Sequence, residues 1–220
     1  MHSGLVFMSK RLDKDSLNEF YVSGEYQSVC MGGLSDDRHF ELEYKVMSQV
    51  FKNYFKTIRA DKPDVSILEI GCGSGGIVKA LQQYYPNTTG YDIDELRVAY
   101  GQKLGVSNLY IKDAMSDTDS IEKYSHVILS NVLEHLHDPI QFLKDLKGRT
   151  NNNVRIIIDV PNIIGINHYG KYSIDFFHIA HLWYFSPATL TELLNVCGWS
   201  VEFVFDRGAA MTIVAFPQNE

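Results

Sequence analysis

The chain has 220 residues, 45% of them hydrophobic and 21% charged, with a formal net charge of −7 and a pI near 5.6. That acidic balance argues against a general nucleic-acid binder, which needs a basic face to displace counterions from phosphates. No apolar run is long enough to cross a bilayer, so no membrane insertion is expected. Cys30, Cys72 and Cys197 are odd in number and widely spaced, which fits reduced thiols better than a disulfide framework or a zinc site. The start, Met1 to Lys14, lacks a signal-peptide layout, and the expected location is cytoplasmic.

In chain order, Leu42, Val46, Met47, Val50, Phe51, Tyr54, Phe55 and Ile58 fall on one stripe and predict an amphipathic helix over 40–58. Strand and helix patterns then alternate. Strands are expected at 65–70, 88–91, 108–111, 126–129 and 154–160, and helices up to Tyr84, over 95–104 and around 140–146. Such alternation specifies a parallel sheet covered by helices. Ser186-Pro187 caps a helix over 187–196, and Gly198 ends it. Two strands, 200–205 and 211–216, come next with no helix between them and predict an antiparallel hairpin at the sheet edge. The stretch 161–185 has no strong period and is long for a connection, which points to function.

The most informative segment is Ile67-Leu68-Glu69-Ile70-Gly71-Cys72-Gly73-Ser74-Gly75-Gly76, a buried strand running into a glycine-rich turn where main chain can approach a ligand. Gly71-x-Gly73-x-x-Gly76 formally satisfies the dinucleotide fingerprint, and Asp92 lies 21 positions after Gly71, so NAD is a candidate. Asp92 cannot choose between adenosine cofactors, because any adenosine ribose wants a carboxylate. Glu69 contributes to the choice, since its charge would repel a phosphate and suit a cation.

Residues 68–75 resemble motif I of class I S-adenosylmethionine-dependent methyltransferases. Tyr91-Asp92-Ile93-Asp94 resembles the acidic end of that family's second strand, Lys112-Asp113-Ala114 its adenine-side segment, and 126–139 its fourth strand and following turn. The resemblance implies a Rossmann-like doubly wound α/β fold with a seven-stranded sheet of order 3-2-1-4-5-7-6, strand 7 antiparallel, and an N-terminal helical extension. It divides the chain into an extension over 1–62 that covers cofactor and substrate and a methyltransferase domain over 63–220, with 161–186 as a substrate-covering loop.

The same resemblance implies S-adenosylmethionine as cofactor. Glu69, Gly71, Cys72 and Gly73 would line its methionyl side, Asp92 and Ile93 its ribose and adenine side, Asp113 and Ala114 its adenine, and Asn131 its sulfonium end. Two blander readings stay open: Glu69 as a helix N-terminal charge and Asp113 as a solvated loop carboxylate.

Leu-Glu-His-Leu with Asp-Pro after it is similar to the branch holding ubiquinone-type O-methyltransferases and bacterial sugar methyltransferases. The run from Asp159 to Asn162 and that from Phe177 to Leu190 resemble polysaccharide-associated members. The expected function is therefore O-methylation of a small acceptor such as a sugar or sugar nucleotide in surface-glycan (polysaccharide) biosynthesis, with a quinone-type phenol as the alternative acceptor. Readings from other classes are an NAD-dependent oxidoreductase, for which no Tyr-x-x-x-Lys pair follows strand four, and a non-catalytic cofactor-binding module.

A hydroxyl acceptor must lose a proton, and histidine suits that task near neutral pH. His135, His181 and His178 are the candidate bases, against the readings that His135 caps a helix and His181 only packs. His126 reads as structural, and His137 and His168 as surface residues. Glu134, His135, His178 and His181 resemble part of a metal set found in small-RNA methyltransferases, but Asn131 replaces the first glutamate, so no metal is expected. Tyr21 or Tyr26 is a candidate cover for the cofactor, and Arg38 and Lys171 are candidate cations for an acceptor phosphate.

Overall fold

The computed structural model describes residues 4–23, 25, 35–57, 65–114, 121–167, 176–177 and 179–218. The chain opens with strand β1 (Val6–Phe7) and helices α1 (Lys14–Val22) and α2 (Asp36–Leu42). A π-helical turn (Glu43–Met47) leads into α3 (Ser48–Thr57). Next come β2 (Ile67–Ile70), α4 (Gly76–Gln82), β3 (Thr88–Asp92), α5 (Glu95–Lys103), β4 (Leu109–Ile111) and β5 (His126–Ser130). After a 3-10 turn (Leu133–His135) the chain forms α6 (Pro139–Arg149), β6 (Arg155–Pro161), β7 (Trp183–Tyr184), α7 (Pro187–Val196), β8 (Trp199–Asp206) and β9 (Ala210–Pro217).

The local chemistry at the helix starts is what the residues dictate. Asp94 accepts the amides of Leu96 and Arg97 ahead of α5, and Asp138 accepts that of Gln141 ahead of α6 with Pro139 in the first turn. Ser186 and Thr189 form a reciprocal capping box at α7.

The main sheet has the order β4-β3-β2-β5-β6-β9-β8. Counted from the first core strand this is the expected 3-2-1-4-5-7-6, with β9 antiparallel to β6 and β8 closing the edge hairpin. Side chains alternate across the sheet. Leu68, Ile70, Val127, Leu129, Ile156, Ile158, Ile213 and Ala215 join α6 and α7 on one face. Ile67, Ile128, Ile157 and Val214 meet Phe51 and Phe55 of α3 and Ile77 and Leu81 of α4 on the other. Both faces are therefore apolar and covered, as a parallel sheet requires. No helix among the described residues is long and apolar enough to cross a membrane.

Two expectations need correction. The helix expected over 40–58 starts at Asp36, capped by Ser35, and contains the π turn. The extra residue in that turn rotates the helix before it by roughly 100° relative to the helix after it. Leu42 and Val46, expected on the buried stripe, are 38% and 60% exposed, while Glu43 is buried. The N-terminal extension, expected to be helical, begins with β1, which pairs antiparallel with β7 within the 161–186 segment, Val6 opposite Tyr184 and Phe7 opposite Trp183.

Candidate active site

The parallel strands β2, β3 and β5 end at one rim of the sheet, the edge where ligands bind in open α/β folds. After β2 the chain turns through Gly71 and Gly73, with φ of +73° and +53°, a region that disfavours side chains. Close packing adds to this, because a Cβ on Gly71 would lie 2.5 Å from Val132 Cγ2. The Gly73 N–H donates to Asp92 Oδ2 at 2.6 Å and the Asp94 N–H to Asp92 Oδ1 at 2.8 Å. Burial pushes the Asp92 carboxyl above its ordinary range against the pull of these two amides and Arg97. Each oxygen keeps a further lone-pair direction, enough to receive two ribose hydroxyls.

The third glycine of the dinucleotide pattern does not serve a phosphate here. Glu43, from the π turn, places Oε2 3.2 Å from the Gly76 N–H and 3.3 Å from the Ser74 hydroxyl. Its Oε1 lies 3.0 Å from Arg97 Nη2 and 3.1 Å from His39 Nδ1. Arg97 in turn lies over Gly73, where a Cβ would meet its guanidinium at 2.6 Å. The protein's own carboxylate thus stands where a dinucleotide pyrophosphate would need backbone donors. Neither Glu43 nor Arg97 carries a local signal in the sequence, because each reads as an ordinary solvent-facing helix residue.

Glu69 alternates with Leu68 and Ile70 and so faces α4 beneath the loop. It is 2% exposed, and its Oε2 has no hydrogen-bond partner among the described residues. Burial first, then the charges of Glu43 and Asp92, push its carboxyl well up. Cys72 is also buried, its thiol raised by burial and by the charges of Asp92, Glu69 and Glu43. Asp92 beside a bare glycine turn fits a ligand that carries a ribose, and Glu43, already paired with Arg97 and holding the Gly76 amide, leaves that amide unavailable to an anionic group. Ile93 is 42% exposed just past β3, and Asp113 is exposed past β4. Ala114 is buried, with its carbonyl held by the Arg149 guanidinium. Asn131 follows β5 with φ +52°, a conformation asparagine tolerates, and its N–H donates to the Asp159 carbonyl at 2.8 Å.

Beyond Asn131 the fold brings His135 and His181 together, ring centroids 4.9 Å apart. His135 Nδ1 lies 2.8 Å from the Ala180 carbonyl and His181 Nδ1 3.1 Å from that of Phe176. A carbonyl can only accept, so both Nδ1 atoms carry the proton and the lone pair of each neutral ring is on Nε2.

Glu134 is 1% exposed, with Oε1 3.8 Å from His135 Nε2. Neither of its oxygens has a hydrogen-bond partner among the described residues, and the buried Ser130 Oγ and Tyr184 OH share that state. Burial, with a smaller push from Asp159, raises the Glu134 carboxyl to about 8. Tyr21 meets His135 edge-on at 6.0 Å, and Phe176 and Tyr184 lie 6.2 and 6.1 Å from His181.

One ligand atom from each of Glu134, His135 and His181 lies within 4.8 Å of the others. Two imidazoles held by carbonyls at Nδ1, with one carboxylate, are a donor set that suits a divalent transition ion. His181 supplies a donor that the missing glutamate at Asn131 does not.

Of the other candidates, His126 is buried against Tyr54 and Phe55, and His137 is exposed. Arg38 is exposed on α2. Tyr26, His168, Lys171 and His178 lie outside the described residues.

A family model described as a methyltransferase domain matches residues 39–203. A ubiquinone biosynthesis O-methyltransferase of Rickettsia conorii is 30% identical over 159 residues, covering 70% of this chain and 54% of that protein. The chain thus spans about half the length of that relative. Among solved structures, a magnesium protoporphyrin IX methyltransferase from Synechocystis PCC 6803 with bound SAH superposes with a TM-score of 0.65 at 18% identity, covering 94% of this chain and 100% of the other. A SAM-dependent methyltransferase from Aquifex aeolicus gives 0.61 at 16% identity, with 94% and 100% covered. The glycine turn, the sheet order and the match over 39–203 agree, and the chain belongs to the methyltransferase-domain family, with the fold of S-adenosylmethionine-dependent methyltransferases.

Proposed function

We propose that this protein transfers a methyl group from S-adenosylmethionine to an oxygen of a small acceptor. The observation that carries the reading is the position of His135 and His181. Their Nε2 lone pairs and the buried Glu134 carboxyl gather just past β5, with His135 three residues on from Val132, which packs against Gly71 of the glycine turn.

The bound cofactor supplies an electrophilic methyl group on a positively charged sulfur. The chain's part is to hold Asp92 toward the ribose, keep Gly71 and Gly73 bare for close approach, and bring the acceptor oxygen to about 3–3.5 Å in line with the departing sulfur. Asp92, Gly71 and Gly73 would hold that cofactor, which would give up its methyl group to the oxygen's lone pair and keep the electron pair of its carbon–sulfur bond. The hydroxyl proton passes to a histidine Nε2.

Rings of Tyr21, Phe176 and Tyr184 around the two histidines support a planar, quinone-type phenol as acceptor, and the name of the rickettsial relative agrees. A sugar or sugar nucleotide in surface-glycan biosynthesis is the second reading, supported by the His181 to Leu190 segment that resembles polysaccharide-associated members. If Glu134, His135 and His181 hold a divalent ion, that ion would supply the Lewis acidity that lowers the acceptor's pKa, and the two imidazoles would act as its ligands instead of taking the proton directly.

The test is incubation with S-adenosylmethionine and separate catechols, nucleotide sugars and polyols, with and without EDTA, read by mass for one added methyl group. Methylation of catechols alone supports the phenol, and methylation of nucleotide sugars alone supports the glycan reading. Loss of activity in EDTA, restored by added metal, assigns the ion. Cofactor binding without methylation of any acceptor would leave the non-catalytic module as the better reading.

A further inference from the structure

The two segments that carry the histidines are stitched together by three hydrogen bonds. His135 Nδ1 donates to the Ala180 carbonyl at 2.8 Å, the Leu182 N–H to the Glu134 carbonyl at 2.9 Å, and the Trp183 indole N–H to the Leu136 carbonyl at 2.8 Å. Three consecutive residues after β5 are thereby fixed to the stretch 180–183, with His181 in its middle. This stretch is held from outside as well. The Met8 N–H donates to the Leu182 carbonyl at 2.9 Å, and β1 pairs with β7. The Trp183 ring meets Phe7 at a centroid distance of 6.0 Å and the Arg11 guanidinium at 5.1 Å.

The consequence for chemistry is direct. His181 is two residues from Trp183 on the same strand approach, and His135 owes the orientation of its ring to the Ala180 carbonyl. A small displacement of 180–183 would turn both imidazoles at once. In-line transfer tolerates little of this, since a misplacement of about 1 Å can cost a factor of roughly 100.

We propose that Trp183 is a positioning residue for the methyl-transfer step and that the N-terminal strand β1 is what holds it in place. The chain's first strand is then part of the acceptor site's frame, at one remove from the histidines. This inference rests on the histidine reading given above and adds to it the element that orients the pair.

Trp183→Phe keeps an aromatic ring beside Phe7 and Arg11 and removes the indole N–H together with part of the ring's volume. Met8→Pro removes the backbone donor to Leu182. Two-bond proton–nitrogen spectra of nitrogen-labelled protein report which ring nitrogen of each histidine carries the proton. In the parent, His135 and His181 should show the Nδ1–H form. In either variant the His135 signal should move toward a mixture of tautomers, while the heat-shift response to S-adenosylhomocysteine stays as in the parent.

With the acceptor that the parent methylates, kcat should fall roughly 10- to 100-fold with the KM for S-adenosylmethionine unchanged. The double variant should be no worse than the poorer single one, because both act on one segment. Parent-like tautomers and parent-like kcat in both variants would overturn the inference. Parent rates in His135→Ala and His181→Ala would instead sink the histidine reading, and the spectra would still test the positioning.

Discussion

The Glu43 carboxylate is wedged between the amide of Gly76, 3.2 Å from Oε2, and the guanidinium of Arg97, 3.0 Å from Oε1. It ties the N-terminal helices to the glycine turn and to α5 in one contact. Glu43→Gln keeps the shape and removes the charge, depriving Arg97, only 13% exposed, of that counter-ion. The expected cost is about 2 kcal/mol, or a Tm lower by roughly 4–8 °C. Affinity for S-adenosylhomocysteine should fall about tenfold, the equivalent of ~1.4 kcal/mol. Calorimetry and a thermal melt measure both, and parent values in each would show that the turn holds itself.

Asp92 receives the amides of Gly73 and Asp94 and is the group proposed to accept ribose hydroxyls. Asp92→Ala should weaken S-adenosylhomocysteine binding by roughly 10- to 100-fold, the scale of one or two charge-assisted hydrogen bonds. Ligand-induced heat shifts read this directly, because a ligand of the native state stabilises by mass action. A shift with NAD and none with S-adenosylhomocysteine would refute the cofactor assignment.

His135→Ala and His181→Ala should each lower turnover by about 100-fold or more, the usual contribution of a positioned general base, while the cofactor heat shift is retained. Adding EDTA to the parent separates the two roles of the pair. Activity that survives chelation makes the imidazoles bases, and activity restored by a divalent ion makes them ligands.

His126 starts β5 packed against Tyr54 and Phe55, and burial, with help from the Arg155 charge, lowers its pKa from 6.5 to about 4. Below about pH 6.5 the unfolded chain takes up a proton that the folded one refuses until about pH 4. Stability contributed at neutral pH is therefore lost as pH falls through that window, by about 3 kcal/mol in the limit. Tyr54, pushed up to about 12, stays neutral throughout. His126→Gln should be less stable than the parent at pH 7.5, and the gap should narrow toward pH 4.5 in urea titrations. A constant gap would mean that the folded and unfolded imidazoles take up the proton alike, so that burial does not lower the pKa of His126.

Gly76 and Gly148 should respond oppositely to alanine. A Cβ on Gly76 would lie 2.5 Å from Glu43 Cβ and 2.8 Å from the Phe40 carbonyl, a backbone atom that cannot step aside, whereas nothing lies within 4 Å of one on Gly148 in α6. Gly76→Ala should destabilise by about 1–3 kcal/mol, and Gly148→Ala should stabilise by roughly 0.5 kcal/mol. Chemical denaturation of the two variants settles the sign of each.

The strands and their apolar faces were readable because they depend on period, while the order of the strands came from the resemblance. Leu68 and Ile70 face one layer and Ile67 the other, and that two-sided apolar alternation is written residue by residue. The glycines of 71–76 announced a turn by their own lack of side chains. Glu43 could not be read in the same way, because a π turn shifts the helical register and moves a glutamate from the expected wet side onto the Gly76 amide. Nor could β1, since two residues carry no usable period and their partners, Trp183 and Tyr184, lie near the other end of the chain.

From the sequence alone came the layered α/β fold, the glycine turn with Glu69 and Asp92 beside it, and the candidacy of His135 and His181, all properties of short-range spacing and residue type. Tertiary structure alone decided that Glu43 fills the place of a phosphate, that both histidines carry their protons on Nδ1, and that the first strand pairs with the segment beside His181. These outcomes depend on contacts between segments far apart in the chain. Hydrogen-bond partners and buried charges are set by where the backbone brings such segments together, and no local pattern encodes that.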